Sequence, residues 1–123
     1  MSKKVLDMIN EQMSFEIESA LIYKAMEVYA ADIELEGFSH WLDTQAEEEL
    51  LHTEGMKDFL LSVGYKPVYK SIPEPKADFE DILDVMKQAY EHEKLVSSKI
   101  KEIAKAAREE DDERVISFIK LYI

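Results

Sequence analysis

Residues 46–52 read AEEELLH, and the kind of fold depends on which side of a helix this stretch presents to solvent. On a helix, Glu49 and His52 stand three positions apart and share one face. Three consecutive acids are ordinary surface decoration, and a lone Glu-x-x-His carries little information. The flanking residues change that. Phe38, Leu42, Gln45, Glu49, His52, Met56, Phe59 and Val63 follow a strict four–three alternation. This is the period of a helix buried along one stripe, so a helix is expected over about 38–63, with an acid and a histidine on its inner side.

The same pattern recurs on both sides. Ile9, Met13, Glu16, Ala20, Tyr23, Met26 and Ala30 form the stripe of a helix over about 4–34, and Gly37 in LEGFSH interrupts the period. Ile82, Met86, Ala89, Glu93, Val96, Ile100, Ile103 and Ala107 form that of a helix over about 79–108, with Asp78 as its expected cap. Between these helices GYKPVYKSIPEPKADF carries all three prolines. Proline breaks helices, so 64–78 is expected to be a crossover long enough to run from one helix end to the other. REEDDER reads as a polar turn and VISFIKLYI as the opening of a fourth helix. The apolar run from Val115 to Ile123 has no polar tail or cap, which predicts a fourth helix (112–123) cut short. The expected fold is all-α and a single domain, 1–123. It is a four-helix bundle with a long crossover between helices 2 and 3 and an incomplete fourth helix.

Composition agrees. A chain of 123 residues supports one sizeable core, and 46% hydrophobic with 34% charged residues marks a globular protein. The absence of cysteine excludes disulfides and thiolate metal sites and fits a reducing compartment. MSKKVLDMIN lacks the apolar region of a secretory signal, and no stretch is apolar enough to span a membrane, so a cytoplasmic location is expected. A formal charge of −12 argues against nucleic acid and suits a cationic partner, metal ions included.

Each stripe places a carboxylate near its middle: Glu16, Glu49 and Glu93. Burying several ionised carboxylates together is costly, because each loses hydration and all repel one another. No lysine lies on these stripes to compensate. A divalent cation held by carboxylate oxygens and the His52 imidazole resolves the conflict. Mixed Glu/His ligation without thiolate suits iron or manganese, and zinc less exclusively. Two adjacent ions need a bridging carboxylate, and Glu49, beside His52, is placed for it. Tyr23 lies two turns beyond Glu16 on the same face, as core with its hydroxyl on a polar partner. His40 and His92 fall off the stripes and are expected to be partly exposed and uninvolved. Glu47 is expected to be solvated, and Glu48 to lie beside the site but rotated from it.

NEQMSFEIESALIY (10–23), EGFSHWLDTQAEEELLH (36–52), SIPEPKADF (71–79) and AYEHEKLVSSKI (89–100) resemble a bacterial non-haem ferritin, in order and with matching spacing. The likeness runs from about residue 5 to the end. It implies a di-iron ferroxidase centre inside the bundle, without haem. Glu16, Glu49 and His52 would hold the first iron. Glu49 would bridge to a second iron, also held by Glu93. Tyr23 matches a tyrosine that hydrogen-bonds a ligand or supplies an electron, and Glu48 matches a ligand of a third iron site. Lys120 falls where some members place glutamine, and Leu121 where an aromatic is common. The family's fourth helix continues into an acidic segment that supplies another glutamate and most partners of the third site, and many members add a short fifth helix; neither is in this sequence. The expectation is a tight first site and weakened pairing. Bacterioferritin and rubrerythrin relatives carry a second Glu-x-x-His, whereas Glu93 here is followed by Lys94, Leu95 and Val96.

The implied function is iron storage: Fe(II) oxidised by O2, with ferric mineral deposited in a homo-oligomeric cage, of twenty-four subunits in this family. REEDDER would line a pore between subunits or be a solvated turn. A second reading is a metal-binding ferritin-like subunit, non-storing or inactive because its fourth helix is short. A third is a di-iron oxidase acting on an organic substrate.

Overall fold

Ser2 starts the first helix by accepting a hydrogen bond from the Val5 N–H at 3.4 Å. The computed structural model describes residues Met1–Ile123 and contains helices α1 (Lys3–Asp32), α2 (Glu36–Ser62), α3 (Ile82–Glu109) and α4 (Glu113–Ile119), followed by a 3₁₀ turn at Lys120–Tyr122. No helix is long and apolar enough to cross a membrane.

α1 and α2 are joined by three residues and pack antiparallel. Thr53 bonds the Met13 carbonyl, Lys24 pairs with Asp43, and Ser39 bonds the Glu27 carbonyl. α3 packs on the other flank of α1, also antiparallel, through Tyr23–Glu93 and Phe15–His92. Two helices antiparallel to the same third helix are parallel to each other, so the chain between α2 and α3 must travel the length of the bundle. Residues 63–81 do so without helix. The crossover is tied to α1 by a reciprocal pair: Asn10 Nδ2 donates to the Val68 carbonyl at 3.1 Å, and the Val68 N–H donates to Asn10 Oδ1 at 2.8 Å. The Lys70 N–H donates to Ser14 Oγ at 2.9 Å and Tyr65 Oη to Asp7 at 2.6 Å. α4 turns back along α3 and lies against α2, where Phe118 stacks on Phe59 with ring centres 4.1 Å apart.

Several boundaries differ from the sequence expectation. α3 begins at Ile82, and its cap is Asp81 rather than Asp78. The Asp81 carboxylate accepts the Asp84 N–H at 2.8 Å, while Asp84 accepts the Glu80 N–H at 3.0 Å, which satisfies donors left free at a helix start. Phe79 stays outside the helix, packed edge-on against Tyr29. The break between α1 and α2 falls at Glu34, whose φ of 62° is left-handed, and not at Gly37, which sits within the first turn of α2. Gly64, with φ of 81°, stops α2 as its type requires. The buried residues of α2 are Leu42, Ala46, Glu49, Thr53, Met56 and Leu60, so the inner face is rotated slightly from the expected stripe and Phe38 is exposed. Asp112 is buried as the cap of α4, so the acidic turn is not wholly solvated.

The core divides in two. One cluster joins Ile9, Met13, Met56, Leu60, Ile100 and Ile103 with Val115 and Ile119 of α4. The other joins Ala20, Tyr23, Met26, Leu42, Ala46, Val85 and Ala89. The acids at mid-stripe lie between these clusters.

Candidate metal centre

Glu16 follows Met13 by one turn on α1, and Glu49 follows Ala46 on α2, so packing of the two core clusters draws both carboxylates inward. Glu16 is fully buried and Glu49 is 4% exposed. His52, one turn after Glu49, turns Nδ1 toward both, at 3.4 Å from Glu16 Oε1 and 3.6 Å from Glu49 Oε2. Ligand atoms of all three residues lie within 4.8 Å of one another. Both oxygens of Glu16, Oε2 of Glu49 and Nδ1 of His52 are buried without a hydrogen-bond partner. Native interiors rarely leave such groups unpaired, since each loses its hydration uncompensated. Oxygen and imidazole groups left unpaired this close together could hold a divalent cation that prefers such ligands.

The electrostatics of the three residues agree. Burial, and then the neighbouring Glu49, push the Glu16 carboxyl up to about 8, although His52 opposes this. The Glu16 and then the Glu49 carboxylates push His52 up to about 10. Burial favours a neutral Glu49, but its contacts with His52 and Glu16 outweigh that and hold it below the ordinary carboxylate range. Glu16 and His52 therefore hold protons near neutral pH, which a cation bound there would displace.

Around this triad, Thr53 places its hydroxyl 3.2 Å from the carbonyls of both Met13 and Glu49, locking α1 to α2 at the site. Tyr23, fully buried, donates its hydroxyl to Glu93 Oε1. Burial and then the Glu93 charge push this phenol well above its ordinary range, so it remains a donor. Glu93 is thus drawn to Tyr23 and is not among the three converging ligands. It also borders an open groove of about 680 Å³ along α3, with Lys94, Ser97 and Lys101. Glu48 and Glu47 are exposed on the outer side of α2, and His40 is exposed. Lys120 and Leu121 are exposed as well.

His92 is partly exposed, as its place off the stripe predicts, and it also makes specific contacts. It is half-buried, with Nε2 2.7 Å from Ser19 Oγ, its ring stacked on Phe15 and edge-on to Tyr23. Being next to Glu93 on the helix, it points into the α1–α3 seam rather than out. Burial lowers its pKa. Sequence reasoning also missed Thr53, Ser19 and Tyr122, whose ring meets His52 at 89° with centres 5.1 Å apart. Only a glycine inside α2, Gly55, hinted that something approaches there.

Comparison with known proteins adds an independent line. Residues 6–123 match the family model described as a ferritin-like domain. The chain is 32% identical over 123 residues to the bacterial non-heme ferritin of Staphylococcus haemolyticus, covering all of this chain and 74% of that protein. It is 29% identical over 120 residues to that of Escherichia coli O157:H7, covering 98% of this chain and 73% of the other. Among solved structures, an open-pore ferritin from the hyperthermophilic archaeon Archaeoglobus fulgidus superimposes with a TM-score of 0.96 at 34% identity, covering 99% of this chain and 75% of that one.

Proposed function

This chain belongs to the ferritin family, and from that membership we propose that it is an iron-storage subunit that oxidises Fe(II) with dioxygen at a di-iron centre. The observation that carries the reading is the convergence of Glu16, Glu49 and His52 with four buried atoms left unpaired. In this reading Fe(II) is the substrate. The first ion takes Glu16, Glu49 and His52 as ligands and displaces the protons on Glu16 and His52. Glu49 bridges to a second ion shared with Glu93. Glu93 leaves or shares its bond with Tyr23 to do so, and the phenol keeps that carboxylate oriented in the meantime. Glu48 serves a third, outer position. Each Fe(II) gives one electron to dioxygen, and the hard carboxylate oxygens favour the more highly charged Fe(III) product. The ferric product is stored as mineral inside a closed shell of many copies of the chain. The exposed Leu21, Val28, Leu50, Leu51 and Leu61 on α1 and α2 support contact between subunits.

The test combines two measurements on the purified chain. Fe(II) added anaerobically and then exposed to air is followed by the absorbance of the ferric product, with Glu49→Ala as the control. Light scattering on the same sample gives the particle mass. Rapid oxidation lost in Glu49→Ala, in a particle of many subunits that retains iron, is the expected result. Oxidation unaffected by Glu49→Ala rejects the assigned centre, and a monomer or dimer rejects storage.

A further inference from the structure

We propose that Tyr122 is a positioning residue for His52, seated in a notch that Gly55 opens in α2. Gly55 lies deep inside a long helix, where glycine is among the weakest helix formers. Its place has a steric reason. A Cβ at position 55 would collide with the Tyr122 hydroxyl oxygen and stand 3.6 Å from Tyr122 Cζ, whereas Gly37 and Gly64 have open space around them. Gly55 follows His52 by three residues, so the notch lies on the same helix face, one turn on. A tyrosine whose tip rests there must lay its ring across the imidazole, and the two rings meet at 89° with centres 5.1 Å apart. Behind Tyr122, Phe118 packs at 5.1 Å and itself stacks on Phe59. The ring is therefore wedged between α2 and its own helical turn.

The wedge matters because Nδ1 of His52, the nitrogen facing Glu16 and Glu49, is aimed by how the rest of the ring is held, and the Tyr122 ring packs across it. Ligating histidines are ordinarily oriented by a group outside the ligand shell, whose loss weakens metal binding. Here the Tyr122 ring supplies that restraint by contact, holding Nδ1 toward Glu16 and Glu49. Residue 55 thus acts on the metal at second hand. This inference rests on the reading of Glu16, Glu49 and His52 as a metal site.

Titration of the metal-free full chain with Co(II), read by its visible d–d bands, tests both. Gly55→Ala should bind Co(II) roughly tenfold more weakly with altered bands. Its thermal stability should change little, because alanine's better helix propensity offsets the packing lost when Tyr122 moves. Tyr122→Ala should show the same weakening. Tyr122→Phe should bind like wild type, and Gly55→Ala combined with Tyr122→Phe should regain wild-type affinity, since removing the hydroxyl makes room for the added methyl. Unchanged affinity in Gly55→Ala or Tyr122→Ala, or no recovery in the double variant, overturns the positioning role. Absence of Co(II) binding by wild type, or undiminished binding by His52→Ala, instead rejects the metal site itself.

Discussion

Tyr23 on α1 donates its hydroxyl to Glu93 on α3, joining two helices at the depth of the buried acids. The bond gives Glu93 a partner that Glu16 and Glu49 lack. It also makes Tyr23 a structural residue of the metal-free protein, whatever its part in turnover.

Tyr23→Phe keeps the ring and removes only the donor. A hydrogen bond to a charged group contributes about 1.5–3 kcal/mol, and Glu93 is only half-buried, so water replaces part of the loss. Urea unfolding of the metal-free variant should show a loss of about 1–2 kcal/mol. An unchanged midpoint would mean that the Tyr23–Glu93 bond does not hold α1 to α3.

The metal-free protein should lose stability as pH rises. Folding raises Glu16 from its ordinary 4.5 to about 8, so between those values the folded state holds a proton that the unfolded chain has released. His52, raised from 6.5 to about 10, does the same over the higher window. Stability falls with pH wherever the folded state binds more protons, so both groups act in one direction. Their contribution is fully present below the unfolded values and is lost by about pH 10. The depressed Glu49 acts oppositely, only at acid pH. Thermal melts in a chelator should therefore fall from about pH 5.5 to about pH 9. Glu16→Gln should flatten the lower part of the slope. The same protons predict that Co(II) binds more tightly as pH rises, with proton release measurable by calorimetry in buffers of different ionisation enthalpy. Melts that rise over this range would contradict the assigned protonation of the site.

Asn10 should be among the more sensitive positions outside the core. Asn10→Ala removes both bonds to Val68 and strands a backbone donor and acceptor, each of which costs about 1–3 kcal/mol if left buried. Val68 is exposed, so water recovers part of this and a net loss of about 2 kcal/mol is expected. Limited proteolysis should then cut within 63–81 faster than in wild type. Resistance equal to wild type would show that Tyr65, Ser14 and Phe79 hold the crossover without Asn10.

Much of this was legible along the chain because its cause is local. The four–three spacing of apolar residues in α2 and α3 produces a stripe wherever a helix forms, and prolines stop the helix wherever they fall. Glu16, Glu49 and His52 were readable because a charge on such a stripe is out of place in any bundle. Asp81 was missed for Asp78 because both are good caps, and the choice was made by Phe79 packing on Tyr29, fifty residues distant in sequence. The contacts of His92 were not legible because a residue next to a stripe faces either solvent or a seam, and only the position of α1 decides which.

The residues alone therefore determined that there would be helices, how many, and which acids would be forced inward, since periodicity and the cost of burying charge act within a few turns of chain. The tertiary structure decided which acids meet. It brought Glu16 to Glu49 and His52, gave Glu93 to Tyr23, clamped the crossover on Asn10 and set Tyr122 into the gap at Gly55. Each of these joins residues from different elements, and the angle and register at which two helices pack depend on side chains from both.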